Sequence, residues 1–323
     1  MKSRRGFIKT TGKATAALSF IGPGLLSNKK ATFQSPETIR IGIIGAENSH
    51  SYGYGKMFNT DKKFPGVTVK YIWGETDEFA KTAMERGNIP VQVKDPEEMH
   101  GKIDALIVDH RHPKYHIEAA VPFVREGIPV FIDKPFCYRV SEGKKFLALA
   151  RSLRTPVSSW STAAYNDNTS DLKKKAEELG EIKNLVMFGP ADIESPWGGI
   201  FFYGVHMVDQ ILYIFGDNVE KVRVSKKGNA ATGTLLFNNG MVATLVFLTQ
   251  CRNRIIYAET DKGVTELTSV VKESDPPKAY ADMVDMFRTR NEPRSHERIL
   301  YGIAVLEALE KSVKSDKWEN VKI

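Results

Sequence analysis

Glu47 and His50 stand where a phosphate-binding turn would carry glycine. The segment from Ile41 to Gly55 reads IGIIGAENSHSYGYG. Gly42 and Gly45 suit a dinucleotide turn, in which glycine permits the bend and lets backbone approach a pyrophosphate. The next two glycines of that pattern are missing. A carboxylate at Glu47 is electrostatically unfavourable beside two phosphates. Yet Asn48, Ser49 and Ser51 supply small polar donors, His50 can carry charge, and a helix N-terminus favours an anion. The expectation is a modified nucleotide site built from Gly42, Gly45, Ala46, Asn48, Ser49 and His50, with Glu47 turned away or bonded to a neighbour. A turn that has lost its ligand is the alternative.

A second cluster, DHRHPKYH, runs from Asp109 to His116. Three histidines and an aspartate raise the question of a metal. A strand-end loop scatters its side chains, so no metal site is expected there. Cys137 and Cys251 are the two cysteines and lack metal-ligand spacing. Two buried thiols are expected, and a disulfide between them stays open.

These residues need a scaffold, and the pattern of the chain supplies one. Thr38–Gly45, Val67–Trp73, Val91–Val93, Ile103–Val108, Pro129–Asp133 and Pro156–Trp160 read as short buried strands. Helical segments over Asp77–Gly87, His116–Gly127 and Ser141–Ser152 alternate with them. Strands alternating with helices imply a parallel sheet covered on both faces. After about residue 158 the pattern changes. Glu181–Phe188, Val219–Ser225, Ala231–Phe237, Met241–Leu248, Arg254–Glu259 and Gly263–Leu267 read as strands, two of them joined by the hairpin turn Asn238-Asn239-Gly240. Helices are expected over Asn168–Leu179, Val205–Phe215, Ala279–Thr289 and His296–Ser315. The fold class is α/β, with a dinucleotide-binding domain over residues 37–157 and a second α/β domain over residues 158–323 that has an open, mainly antiparallel sheet.

The net charge of +7 is misleading. Lys2, Arg4, Arg5, Lys9, Lys13, Lys29 and Lys30 precede any acid and leave the rest of the chain neutral. Nothing in the body suggests a nucleic-acid surface. No apolar run is long and clean enough for a membrane span in the mature form. The segment SRRGFIKTTGKATAALSFIGPGLL resembles a twin-arginine export signal, expected over residues 1–35. Export to the periplasm, or out of the cytoplasm generally, is the expected localisation.

Three further segments combine with the turn. They are the strand-end triplet Asp133-Lys134-Pro135, the run GGIFFYGVHMVDQILYIFG from Gly198, and the closing LEALEKSVKSDKW. In this order the chain resembles the Gfo/Idh/MocA oxidoreductases, the family of glucose–fructose oxidoreductase and inositol dehydrogenase. The resemblance covers essentially everything after the leader. It implies a Rossmann domain followed by an open-sheet domain, and NAD(P)-dependent chemistry at a hydroxyl or keto group of a sugar, glycoside or polyol. It implies homo-oligomers and a small carbohydrate substrate.

Residue by residue, the resemblance places Lys134 beside the nicotinamide and the reacting hydroxyl, where an ammonium can hydrogen-bond a developing alkoxide. It makes His206, within Gly204-x-His206-x-x-Asp209, the proton acceptor, and imidazole titrates in the right range. Asp109, His112 and His116 would border the cofactor. Tyr165, Trp197, Tyr203 and Asp209 would help hold substrate. Glu75 would select the ribose hydroxyls, with no arginine nearby for a 2′-phosphate, so NAD is favoured over NADP. Two departures stand out. Phe202 replaces an aspartate common four residues before the histidine, and WSTAAYND lacks an arginine common after that strand. These keep two alternatives open: a redox-neutral lyase or epimerase with bound NAD, and a carbohydrate-binding relic without cofactor.

Overall fold

The computed structural model describes residues 38–323; the leader expected over residues 1–35 lies outside the described residues. The first strands follow the apolar pattern closely. β1 (Ile39–Ile44) is buried at every position but Arg40. It is followed by a short helix α1 (His50–Gly55), then β2 (Val67–Trp73), α2 (Asp77–Gly87), β3 (Val91–Gln92), β4 (Ala105–Val108), α3 (His116–Arg125), β5 (Val130–Ile132), α4 (Val140–Leu153) and β6 (Val157–Ser158). α2 starts where its sequence directs. The Thr76 hydroxyl accepts from Phe79 N–H at 3.2 Å, Asp77 and Glu78 occupy the first turn, and Asn88 closes the helix in the left-handed region at φ 51°.

All pairings in this sheet are parallel, in the order β3-β2-β1-β4-β5-β6. The order reverses between β1 and β4, which opens a crevice at their carboxyl ends. Asn48 and Asp109 lie on the segments that leave those ends, and Lys134 on the one that leaves neighbouring β5.

The second half comprises α5 (Asp167–Leu179), β7 (Asn184–Pro190), α6 (Phe201–Phe215), β8 (Val219–Lys227), β9 (Ala230–Phe237), β10 (Val242–Leu248), β11 (Ile255–Thr260), β12 (Gly263–Leu267), α7 (Lys278–Thr289), α8 (His296–Ser315) and β13 (Glu319–Asn320). Its seven strands run β12-β11-β7-β10-β9-β8-β13. β7 pairs with β10 in parallel and the other pairings are antiparallel, so the sheet is mixed but mainly antiparallel. The expected hairpin joins β9 to β10, with Gly240 at φ 91°.

Two details depart from the sequence pattern. α6 begins one turn earlier than its periodicity suggests, so the aromatic run Phe201-Phe202-Tyr203 is helical and Phe202 shares a face with His206. α7 leaves the second sheet and packs Ala279, Met283, Val284, Met286 and Phe287 into the apolar cluster of β1 and β2.

Candidate active site

Gly45 sets the turn. Its φ is 107°, and a Cβ there would lie 2.5 Å from the His110 backbone nitrogen, so only glycine allows β1 to exit this close to the end of β4. Gly42 does not reach the ligand side. It lies inside β1, where a Cβ would meet Met99 Sδ at 2.6 Å, and its role is packing rather than cofactor contact.

The Glu75 carboxylate closes the turn from the end of β2. Its Oε2 accepts from the Ala46 N–H at 2.8 Å and the Glu47 N–H at 2.9 Å. Its Oε1 is buried with no hydrogen-bond partner. Such an atom costs free energy unless something binds it. Glu47 points elsewhere. Its Oε1 accepts from the Trp197 indole N–H at 3.1 Å, with Arg111 3.9 Å away. The Arg111 guanidinium covers the Trp197 ring at 3.4 Å. Each contact is worth only about 1 kcal/mol, but together they exceed the entropy lost by ordering one glutamate. The charge that threatened the phosphate position is therefore held away from it.

Next to the turn is a buried polar knot. The Asn48 amide donates to Asp109 Oδ1 at 2.8 Å and to Asp133 Oδ2 at 3.2 Å. His50 Nδ1 lies 2.9 Å from Asp133 Oδ2, and the Tyr54 hydroxyl donates to Asp133 Oδ1 at 3.1 Å. Burial raises both carboxyls. For Asp109 this dominates, Asp133 adds to it, and the pKa rises well above the usual range. For Asp133 the charges of His50 and Lys134 outweigh burial and hold it low. One negative charge is thus shared by the pair. Ligand-type atoms of His50, Asp109 and Asp133 lie within 4.8 Å of one another and could hold a metal ion. The histidines of the DHRHPKYH run do not join that group.

They brace the loop instead. His116 is fully buried, with Nδ1 2.8 Å from the Pro135 carbonyl and Nε2 2.8 Å from the His110 carbonyl, tying the ends of β4 and β5. Burial pushes its pKa down, so the ring is neutral and donates to one of the two. His112 Nδ1 accepts from the Lys114 N–H at 3.2 Å, and burial lowers it to about 4. Burial lowers His110 to about 3. Ser49, at the surface of the turn, precedes α1 without a capping bond from its side chain.

Lys134 follows β5 and is 6 % exposed, with its ammonium 5.5 Å from the Phe202 ring centre. His206, one turn further along α6, has Nδ1 2.6 Å from Ser161 Oγ. Burial, then the charges of Lys134 and Arg254, lower its pKa well below the ordinary value, so the imidazole is neutral. Asp209 does not bond the histidine. Its Oδ2 accepts from the Ser161 N–H at 2.9 Å, and its Oδ1 lies 3.4 Å from Arg294. A Cβ on Gly302 of α8 would come within 3.0 Å of that oxygen. Asp209 is thus a positioning residue behind Ser161 rather than a substrate contact. Tyr165 is also drawn away: its hydroxyl donates to Asp282 of α7 at 2.9 Å and its ring packs on Trp160. Trp197 and Tyr203 do border the cleft, though Arg111 takes one face of the indole. Cys137 is buried and Cys251 exposed, both as free thiols.

With this geometry in place, comparison with known proteins is informative. Residues 39–159 match the sequence model of the oxidoreductase family with an NAD-binding Rossmann fold, GFO_IDH_MocA. This part of the chain, somewhat over a third of it, is thus similar to the NAD-binding domain of that family. The relative YhhX, named an uncharacterized oxidoreductase of Escherichia coli K12, is 29 % identical over 122 residues, 34 % of this chain and 35 % of that protein. The match thus spans about a third of that relative's length. Among solved structures, a myo-inositol dehydrogenase from Lactobacillus casei, in complex with NAD(H) and myo-inositol, superposes with TM-score 0.73 at 13 % identity, covering 88 % of this chain and 97 % of that one. A probable dehydrogenase from Thermotoga maritima superposes with TM-score 0.72 at 16 % identity over 88 % and 99 % of the two chains. These likenesses establish the fold.

The matched family is described as oxidoreductases with an NAD-binding Rossmann fold, and the residues here fit NAD. Glu75 Oε1 is a buried acceptor in want of a donor at the strand end where ribose hydroxyls bind. Gly45 allows the close backbone approach a pyrophosphate needs. Glu47 is turned aside.

Proposed function

We propose that this chain is an exported NAD-dependent oxidoreductase interconverting a hydroxyl and a keto group on a sugar, glycoside or polyol. The observation that carries the reading is the neutral, oriented His206 within the field of a buried Lys134. With Nδ1–H donated to Ser161 Oγ, Nε2 offers a lone pair to the substrate hydroxyl. Lys134 donates to the same oxygen and stabilises it as the proton leaves. NAD, when bound, supplies the acceptor for the hydride from the carbinol carbon. Asn48 and the Asp109–Asp133 pair place one fixed negative charge beside Lys134 and balance its ammonium.

The Arg4-Arg5 pair in the leader supports export through the twin-arginine route, which carries folded proteins and so suits one that takes up its cofactor before leaving the cytoplasm. The open face of the second sheet, with half-buried Val186, Phe188, Val246 and Leu248, suits a homo-oligomeric contact.

The test is to purify the protein gently, denature it, and identify released nucleotide by mass spectrometry. NAD(H) in stoichiometric amount, and reduction of NAD by a polyol that Lys134→Ala and His206→Ala abolish, is the expected result. Protein that neither carries nor binds NAD(H) or NADP(H) would sink the reading.

A further inference from the structure

A cavity of about 410 Å³ opens beside the reacting pair. It lies between the segment after β7 and the segment joining β10 to β11. Its walls include Trp197, Phe202, Tyr203, Arg111 and Arg252, with Asp192 on the same lining. Its size lies within the range of small-molecule sites. It is continuous with the catalytic groups. The Phe202 ring centre is 5.5 Å from Lys134 Nζ, and the Tyr203 ring centre is 5.8 Å from that of His206.

The charges around this cavity leave one positive charge in excess once Arg254 is counted beside its lining. Arg111 has Glu47 at 3.9 Å. Asp192 is engaged in its own turn, accepting from the Glu194 N–H at 2.9 Å. Arg252 stands over Tyr203, 5.7 Å from the ring centre. Arg254, just before β11, is exposed and lies beyond the cavity's lining, but desolvation lowers its pKa and its charge reaches His206. Among the described residues neither Arg252 nor Arg254 has a carboxylate within ion-pair distance. For Arg254, partial loss of water without an ion-pair partner is unfavourable, and the planar donors of either guanidinium match a carboxylate in a two-point bond. A neutral polyol would leave both arginines as they are.

From this we infer that the substrate is a sugar acid, whose carboxylate is received by Arg252 and Arg254 while its ring lies along Phe202 and Tyr203 and its reacting hydroxyl reaches Lys134 and His206. The inference rests on the cleft being the hydride-transfer site proposed above, and it narrows the substrate from polyols in general to anionic ones.

The test uses the full mature protein saturated with NAD, with binding measured by calorimetry. The probes are matched pairs: D-glucuronate and D-glucose, D-galacturonate and D-galactose, D-gluconate and D-glucitol, with glucose 6-phosphate as a different anion. At least one acid is expected to bind about tenfold or more tightly than its neutral partner. Arg252→Gln and Arg254→Gln should each weaken that acid by about tenfold, with Arg254→Lys recovering part of the loss. Thermal unfolding of each variant checks that the fold is intact. Neutral partners binding as well as the acids would overturn the inference. So would binding of none of the probes, tighter binding of the phosphate, or folded arginine variants that bind the acid normally. Binding of an acid without any reduction of NAD would instead strike at the oxidoreductase reading and leave the anion site standing.

Discussion

Ser161 Oγ lies 2.6 Å from Nδ1 of His206, and the Ser161 N–H donates to Asp209 Oδ2 at 2.9 Å. A serine from the segment after β6 thus orients an imidazole on α6, at the place where Phe202 leaves the helix without an acid of its own. Asp209, fixed by Arg294, holds the serine rather than the histidine. Ser161→Ala should therefore lower kcat by about 10–100-fold, the range for losing a partner that orients a functional imidazole, and leave KM nearly unchanged. Ser161→Thr keeps the hydroxyl and should retain most of the rate. Steady-state kinetics of both variants decide it, and an alanine variant with normal kcat would refute the assignment.

The Glu47–Trp197 bond predicts a defect in cofactor affinity. Trp197→Phe removes the indole donor while keeping a ring for Arg111, so the Glu47 carboxylate is freed to swing toward the phosphate position. Calorimetry should show NAD binding weakened by about tenfold, equivalent to about 1.4 kcal/mol. Glu47→Gln in the same background removes the charge and should restore affinity. Failure of that second change to rescue would mean that Trp197 acts through packing alone.

Glu75 holds the turn through one oxygen and leaves the other buried and without a partner, and a ribose hydroxyl as that partner is testable. Glu75→Gln keeps the shape, but its amide nitrogen competes with the Ala46 and Glu47 N–H groups for the same position. Glu75→Ala leaves both N–H groups without their carboxylate and removes the acceptor for ribose hydroxyls. NAD affinity should fall by about 30-fold or more in the alanine variant, while NADP, which no longer meets a carboxylate, should fall less. Equal losses for the two nucleotides would show that Glu75 supports the turn without selecting the ribose.

The sequence was informative where chemistry is local. A β-branched strand ending at Gly45, a Thr76-capped helix and an Asn-Asn-Gly hairpin each specify themselves within a few residues, and the two-sheet layout follows from them. Lys134 and His206 could be proposed from the sequence because each sits in a short motif. Their partners could not. Ser161 meets His206 across 45 residues, Trp197 meets Glu47 across 150, and α7 packs under a sheet that ended more than 100 residues earlier. Tyr165 and Trp197 look alike in the sequence as polar aromatics, yet Asp282 claims one and Glu47 the other. Gly42 fits the turn pattern by spacing, but β1 extends past it and turns it into the core. Long-range partners of this kind become visible only when the fold brings them together.

The buried histidines predict a stability loss on mild acidification. His110 and His112 are lowered to about 3 and about 4, both with burial as the largest cause, and His116 and His206 are lowered too. In the unfolded chain each titrates near 6.5. Below that pH the unfolded state takes up protons that the native state refuses, so stability is fully present above about pH 6.5 and falls as pH drops through 5 toward the folded values. Asp109, raised by burial, works in the opposite sense and offsets part of this fall, while the other carboxylates contribute little until the pH nears 4, so four imidazoles against one carboxyl set the net direction. Thermal unfolding should therefore show Tm falling between pH 6.5 and 4.5. His110→Phe should flatten the fall, because it removes one proton from the unfolded-state uptake. A Tm that stays level across this range, or a His110→Phe profile parallel to that of the parent, would show that the ring is not held neutral by burial.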